Sequence, residues 1–389
     1  YEFSPDEYTI RVRGRASGVD RPQLLTDLGD GLAFAEADSA MEAREMGYVY
    51  NHVQEGIDET LTSKAERMIV EGPLLWGALR NKFFLLAILA GESNETTTEG
   101  GYLGGLLVEE SHLPERFQVT AAQVVGAEGD FAYRLFLGPQ DFEILSAIGW
   151  DMQNVNPYGW SFFQVILKPF VSLITKILIW VHSNLNLGYG WVLILFGVGM
   201  RIVLFPLNQK AMKSQLKNMA VQPLLKEIQE KYKDNPEKLQ KEMKKLYTEH
   251  GFNPLGGCLP MLLPWPMLVA FFFVFQSTIE LRGVPFLWLP DLSTKDPTFV
   301  LPFFLGASMF LMMYVSHKSM DTPNPQMKMM MYMMPPFMIF IFMNLASGLN
   351  LYYATANIAT IPQQMYIAKQ RKKMQGMKPL GRSPPSPSR

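Results

Sequence analysis

The sequence predicts a protein of two parts: a β-sandwich domain (all-β with one short helix) in residues 1–150, then an α-helical membrane bundle of five core spans. The charge distribution divides the chain. Residues 1–150 carry 11 Lys and Arg against 25 Asp and Glu, a net charge of −14, whereas the rest carries 24 against 11, a net charge of +13. The second part also holds the long apolar runs, which are separated by basic loops. Such asymmetry indicates two environments rather than one globule.

Strands in the first part are expected at 8–15, 117–125 and 131–137, where apolar and polar residues alternate with the period of a half-exposed strand. The short apolar run 82–90 is expected to be a buried strand rather than a span, and 140–148 a short helix. Strands separated by Gly-rich turns favour a β-sandwich. His52 and His112 lack a recognisable catalytic or metal-spaced partner, so binding or scaffolding is expected of this domain. Because the chain opens at Tyr1 without Met or a signal segment, we expect further sequence upstream.

The second part is predicted to begin with an amphipathic helix over residues 157–183. Lys168, Ser172 and Lys176 lie four residues apart and form one polar stripe on an otherwise apolar helix with aromatic residues near both ends. This pattern is typical of a helix that lies in the membrane interface.

Five spans follow in a core of residues 188–365. They are expected at roughly 188–207, 255–278, 297–316, 327–343 and 345–365. Residues 208–253 carry ten lysines and are predicted to form an antiparallel helical hairpin with its turn at 234–236. The positive-inside rule places this hairpin and the basic tail, residues 366–389, in the cytoplasm, and residues 1–150 outside.

Arg201 is the one charge in the apolar segment 188–207. A cation there costs from a few to more than about ten kcal/mol unless it reaches water or a partner. Two interpretations are open. Because Arg201 lies near the end of the segment, it could snorkel to the interface as an anchor; alternatively, it faces a wet cavity with a function.

An ordered set of motifs resembles the YidC/Oxa/Alb family of membrane protein insertases, in the bacterial form with a large periplasmic domain. The motifs are Arg-Ile-Val-Leu-Phe-Pro-Leu at 201–207, the lysine-rich hairpin, Asn-Pro-Leu-Gly-Gly-Cys-Leu-Pro at 253–260, Leu287-Trp288 with Asp291 and Asp296, and Ser-Gly-Leu-Asn-Leu-Tyr-Tyr at 347–353 with Asn357 and Gln363-Gln364. The resemblance covers about 157–373. Residues 1–150 resemble the later part of the periplasmic domain more loosely, through 81–84 and 137–140.

The resemblance implies five helices around a hydrophilic groove that opens to the cytoplasm and to lipid and is closed outside. It implies ATP-independent insertion and folding of membrane proteins in the bacterial inner membrane, with no catalytic residues, metal or cofactor. The implied partners are nascent membrane proteins, the bilayer, the Sec translocon, the ribosome and the signal recognition pathway, and not DNA. The implied sites are groove residues Arg201, Asn350, Tyr353, Asn357 and Gln364; sliding-helix residues Trp265, Leu268, Met330 and Met334; and hairpin residues Lys226, Lys231, Lys241 and Lys245.

One departure from the family pattern concerns Pro264 and Pro266, which are expected to kink the helix where many members carry a polar residue. The methionine-rich run 327–334 has two interpretations, lipid-facing filler or a pliable surface for many client sequences.

Two other functions compete with an insertase. A secondary transporter would show inverted repeats and paired broken helices, and a membrane-anchored receptor would leave Arg201 and the hairpin unexplained. The sequence lacks the HExxH, P-loop and GxSxG motifs, so an enzyme has no support.

Overall fold

The computed structural model divides the chain into two compact units, Tyr1–Lys168 with Gln276–Glu280, and Pro169–Phe275 with Leu281–Arg389. It describes residues 1–5, 7–18, 23–36, 38–61, 67–91, 101–113, 116–126, 128–156, 161–206, 209, 228, 231–233, 235–249, 265–318 and 325–375.

The first unit is built on an antiparallel sheet, which in the described residues has ten strands. They are β1 (Glu2–Phe3), β2 (Thr9–Arg15), β3 (Gln23–Asp27), β4 (Gly47–His52), β5 (Gly56–Leu61), β6 (Met68–Arg80), β7 (Phe84–Ala90), β8 (Leu103–Glu110), β9 (Phe117–Val124) and β10 (Asp130–Pro139). The order is β1-β2-β10-β7-β6-β8-β9-β3, and β4 pairs with both β5 and β6. The three strands expected from alternation and the strand expected from the apolar run 82–90 are all present.

The long strand β6 joins two parts of the sheet. Its residues 68–71 pair with β8, and its residues 76–80 pair with β7 on one side and β4 on the other. The register shifts between Glu71 and Leu74, where Gly72 lies so close to β8 that a Cβ would be 2.7 Å from the carbonyl oxygen of Gly104. The hydrogen bonds therefore connect all strands into one sheet rather than into the two separate sheets of a simple sandwich.

Two apolar clusters cover the two faces of this sheet, because successive side chains of a strand point to opposite faces. The first combines residues from β8 and β9 with residues from β2, β4, β6, β7 and β10. The second contains Trp76 and Phe136 and is covered by α2 (Phe142–Ile148). Asp141 caps α2 by accepting the N–H groups of Glu143 and Ile144, both at 2.9 Å. The predictions of a β-rich domain and of this short helix are confirmed; another helix, α1 (Ser39–Ala43), was not predicted.

The second unit is helical. Its described helices are α3 (Ser161–Leu185, which begins in the first unit), α4 (Tyr189–Val203), α5 (Pro236–Glu249), α6 (Trp265–Ser277), α7 (Val300–Lys318), α8 (Pro325–Phe342) and α9 (Ser347–Gln375). α9 packs against α4 and α7, and α7 packs against α8.

Each of the five predicted spans contains or overlaps a helix, but their number as membrane spans stays a prediction. Within the described part of the chain, only Val300–Lys318 is both long and apolar enough to cross a bilayer. Tyr189–Val203 and Lys328–Phe342 are apolar but shorter.

The predicted hairpin lies mostly outside the described residues. Its return helix is present as α5, and Asn235 caps it by accepting the N–H of Lys238 at 3.1 Å. Leu246 is buried on α5, whereas Lys241 and Lys245 are exposed.

Candidate functional site

Helices α4 and α9 run side by side in the same direction. Phe196 lies beside Tyr352 with ring centroids 6.1 Å apart, and Phe205, two residues past the end of α4, lies 6.2 Å from Tyr366 further along α9. Gly197 permits this approach, since a Cβ there would already be 3.3 Å from the Thr355 side chain. We call the end of this pair near residues 282–299 the loop end, and the end near Phe205 and Tyr366 the tail end.

At the loop end, α9 begins directly against the loop. The backbone N–H groups of Ser347 and Gly348 donate to the carbonyl oxygens of Thr294 at 2.7 Å and Leu292 at 2.8 Å. The Ser347 hydroxyl donates to the carbonyl oxygen of Asp291 at 2.9 Å. The first N–H groups of a helix have no partner within the helix, so the loop satisfies groups that burial would otherwise leave unpaired.

Asp296 fixes the same loop to the start of α7. Its carboxylate accepts the N–H of Leu301 at 2.7 Å, the N–H of Thr298 at 2.9 Å and the Thr298 hydroxyl at 2.7 Å. Burial alone would raise the pKa of Asp296, but these hydrogen bonds and one from Trp288 outweigh it and hold the pKa below its usual range. Asp296 is therefore an anion that the loop is built to stabilise.

Apolar packing completes the loop end. Phe286 packs directly on Gly190, leaving no room for a Cβ, and lies edge-to-face with Trp191 at 5.5 Å. Leu289 and Leu292 of the same loop are buried. This end of the helical unit is thus closed by both hydrogen bonds and side-chain packing.

An aromatic cluster lies between α4, α6 and α9. The Phe271 ring is 4.4 Å from that of Tyr352 and 5.4 Å from that of Phe196. Phe275 lies 5.6 Å from Tyr352, which in turn lies 5.3 Å from Tyr353. The cluster places two phenol side chains in the interior of the bundle.

Arg201 lies one helical turn beyond Gly197 on α4 and is half-buried. Its guanidinium interacts electrostatically with Tyr352 and Tyr353. The described residues place no carboxylate within ion-pair distance of it. Tyr353 is thus an electrostatic neighbour of Arg201, and so is Tyr352, which was quoted only as part of a motif; a groove formed by these residues stays a prediction.

Two other predicted groove residues have structural partners on neighbouring helices. Asn350 is fully buried and donates to the carbonyl oxygen of Phe342 at 3.1 Å, which ties α9 to the end of α8. Asn357 donates to the Ser308 hydroxyl of α7 at 3.2 Å. Gln364 is half-buried towards the tail end. Ser308 was missed from the sequence; its hydroxyl, the only one in the apolar run 300–313 of the sequence, was the available sign.

The predicted sliding helices are only partly described. Met330 is 46% exposed, Met334 is half-buried, and Met331 between them is buried against the bundle. The helix positions of Trp265 and Leu268 are described but their side chains are not, and the predicted kink at 264–266 falls partly outside the described residues.

The predicted hairpin lysines are also only partly described. Lys231, Lys241 and Lys245 are exposed, and Lys226 lies outside the described residues. As for metals, the described residues contain no group of three His, Cys, Asp or Glu side chains placed to hold an ion.

Comparisons with known proteins agree with this architecture. Residues 180–375 match the family described as 60Kd inner membrane protein, and residues 1–173 match the YidC periplasmic domain. Proteins named membrane protein insertase YidC from Chlorobium limicola and Chlorobium phaeovibrioides are 33% and 34% identical over 94% of this chain. The chain spans 65% and 66% of their lengths.

A solved structure titled "Active YidC insertase crystal structure with the first transmembrane domain resolved" aligns with a TM-score of 0.41 and 20% identity, over 88% of this chain and 79% of that one. The family assignment rests on the match that covers half of this chain. The chain belongs to the 60Kd inner membrane protein family, and its first part matches the family model of the YidC periplasmic domain.

Proposed function

We propose that this protein is an ATP-independent membrane protein insertase and folding chaperone. It takes hydrophobic segments of nascent proteins from the cytoplasm through a hydrophilic, positively charged groove into the lipid bilayer. The names of the relatives support the activity. The observation that carries the site is Arg201, a half-buried cation beside two tyrosines in a bundle closed at its loop end.

The physical role of such a groove is to lower the free-energy barrier to moving a polar segment across the bilayer. A polar or acidic stretch that must cross the bilayer pays a high desolvation cost, which a hydrated pocket with one positive charge reduces. The following apolar segment then partitions into lipid, a step favoured by about 0.8 kcal/mol per buried CH₂ group. No nucleotide is needed to drive the second step.

The proposed site combines the residues in two sets. Arg201, Tyr353 and Gln364 face the client in the groove, and Asn350 and Asn357 hold the groove helices through their bonds to α8 and α7. Met330 and Met334 lie on α8, and Trp265 and Leu268 on α6, as the surfaces along which a client slides. Exposed thioether side chains adapt to many sequences, which suits this role.

The proposed topology places residues 1–150 in the periplasm, with the sheet folded over its first core cluster as a β-sandwich. α3 lies in the membrane interface, five helices in 188–365 span the inner membrane, and the hairpin 208–253 and tail 366–389 are cytoplasmic. Leu173 and Trp180 on α3 are 53% and 61% exposed, which suits contact with lipid. The lysines at 208–253 support the orientation.

The proposed partners are nascent membrane proteins and the bilayer, with the ribosome, the Sec translocon and the signal recognition pathway at the cytoplasmic face. Lys226, Lys231, Lys241 and Lys245 are the hairpin cations that would contact anionic ribosomal RNA or lipid.

Photocrosslinking during synthesis of a single-span client tests the proposal. A photoreactive phenylalanine at position 353 replaces one aromatic side chain by another. A second one at position 180 is the matched control, because Trp180 is exposed and lies on α3, which contributes no residue to the proposed groove. We expect client crosslinks from position 353 and few from position 180. Crosslinks of equal strength from both, or none from 353 in a protein that still supports growth, would rule out this groove.

A further inference from the structure

Two arginines face each other across the pair β2 and β10 in the first unit. In the antiparallel register Arg134 lies directly opposite Arg11. Side chains at opposite positions lie on the same face with Cβ atoms about 4.5–5.5 Å apart, and like charges there are destabilising.

The neighbouring pairs on this face contain only one cation each. Arg15 lies opposite Asp130 and donates to both of its carboxylate oxygens, at 2.7 and 2.9 Å. Arg13 lies opposite Ala132. The Arg11–Arg134 pair therefore brings two cations together, whereas each neighbouring pair has one.

Arg134 is the deeper of the two cations. Its side chain is 95% buried, and its guanidinium lies over the Trp150 ring at 5.0 Å. Burial lowers the pKa of the Arg134 guanidinium, and the positive charge of Arg11 lowers it further. Arg11 contacts Glu7 at 3.4 Å, and because the two side chains are 42% and 48% exposed, solvent screens this ion pair and it contributes little.

Both arginines line a cleft of about 300 Å³. Glu7 and Tyr8 lie at its rim on the side of β2, and α2 forms the other wall with Ile144, Ala147 and Ile148. One wall of the cleft thus carries two cations and the carboxylate of Glu7, and the opposite wall is apolar. Its volume suits one or two amino-acid side chains rather than a cofactor.

We propose that this cleft binds a polypeptide segment through an acidic side chain placed between Arg11 and Arg134, with an adjacent apolar side chain against α2. Two arginines present planar donors that match a carboxylate, which also removes the like-charge repulsion. The apolar wall distinguishes a peptide from a small free anion. This site is in the sheet domain and does not depend on the insertase proposal.

Fluorescence anisotropy with the full chain in detergent tests the site. The probe is a fluorescein-labelled peptide of alternating Asp and Leu, and its comparison peptide has Asn in place of Asp. We expect the wild-type protein to prefer the Asp peptide by at least about tenfold, and Arg11→Gln and Arg134→Gln each to reduce that affinity by about fivefold or more.

Arg13→Gln is the matched control, because it removes the same charge from the same face of β2, two residues from Arg11. We expect it to change the affinity by less than about twofold. Arg11 is accessible to solvent, so Arg11→Gln keeps the test valid if Arg134→Gln fails to fold. Three results would each overturn the proposal. The two peptides could bind equally well, Arg13→Gln could weaken binding as much as Arg11→Gln, or inorganic phosphate could displace the Asp peptide at concentrations near the Kd of that peptide.

Discussion

The two ends of the α4–α9 pair are built differently. At the loop end, Leu292, Ser293, Asp296 and Ser347 are at most 2% exposed, and hydrogen bonds join the loop to the starts of α7 and α9. Towards the tail end the surface opens: Val203 is 68% exposed and Met365 is 51% exposed.

The two regions also differ in the charged side chain that each one holds. The loop end holds a buried anion, Asp296, surrounded by donors. Further along the pair, Arg201 is a half-buried cation whose described neighbours include two tyrosines and no carboxylate at ion-pair distance. The difference teaches that hydrogen bonds hold the buried anion of the first region, whereas the cation of the second lies near tyrosines and has no described carboxylate at ion-pair distance.

Removing Asp296 is expected to give the largest loss of stability. Asp296→Ala leaves the N–H groups of Leu301 and Thr298 without their acceptor in a buried loop, which should cost about 2–4 kcal/mol of unfolding free energy. Thermal unfolding of the purified protein measures it.

The milder variant Asp296→Asn tests the charge. Because the pKa of Asp296 is lowered, its ionised form stabilises the fold above its ordinary value of 3.8, and this contribution is lost as the pH falls through the lowered pKa. The difference between wild type and Asp296→Asn should therefore shrink in acid. A difference that grows in acid would contradict this account of the loop.

Glu280, two residues before the loop 282–299, has the opposite shift to Asp296: its pKa is raised rather than lowered. Burial raises its pKa to about 7, with Asp141 and Glu143 adding repulsion, and the described residues give its Oε1 no hydrogen-bond partner. Below its ordinary pKa of 4.5, the carboxyl is neutral in both the folded and the unfolded protein. As the pH rises from 4.5 towards 7, the carboxyl ionises in the unfolded protein but stays neutral in the folded one, so the free energy of unfolding falls.

Glu280→Gln should consequently stabilise the protein by about 1–3 kcal/mol at pH 8 and by little at pH 4. Melting temperatures at both pH values measure this. Glu128→Gln is the control, since Glu128 is 84% exposed and its removal should change little at either pH. Equal stabilisation by Glu280→Gln at pH 4 and pH 8 would show that ionisation is not the cause.

Two glycines on α4 test the packing between the two regions. Gly197→Val should destabilise by about 1–3 kcal/mol, because the added methyl groups meet Thr355 and force α4 from α9. Gly199→Val changes the same residue type on the same helix where nothing lies within 4 Å, so we expect a change within about 0.5 kcal/mol. Similar losses for both variants would contradict the described helix contact.

The smallest change in stability is expected at Gln364, towards the tail end. Gln364→Ala should alter the unfolding free energy by less than about 0.5 kcal/mol, because the side chain is only half-buried. If Gln364 faces clients, the same variant should lower insertion. A stability loss as large as that of Asp296→Ala would remove the contrast between the two regions.

The sequence predicted those elements whose pattern is local. The alternation at 131–137 identified β10, and the Asn-Pro turn identified the start of α5. It did not predict β6 as one strand of 13 residues, because its Gly72-Pro73 pair is typical of a turn. Hydrogen-bonded pairing with β4, β7 and β8 makes these residues one strand, and no local sequence pattern predicts that pairing.

The candidate site shows the same limit. Polar residues on α9 could be assigned to one region by resemblance, but only the packing separates Asn357, which bonds Ser308, from Tyr353, which lies with Arg201. Side chains four residues apart on one helix can thus have different neighbours, which depend on where α4 and α7 contact α9.

The most direct test of the central claim is membrane insertion by Arg201 variants, measured with two clients that differ only in the charge of the translocated tail. We expect Arg201→Lys to retain much of the activity, since both side chains are cations. Arg201→Ala should fail most with the acidic tail and least with the neutral tail, at normal protein level and melting temperature. Equal loss for both tails in a stable protein would contradict electrostatic attraction, and little loss for either would show that Arg201 is only an interface anchor.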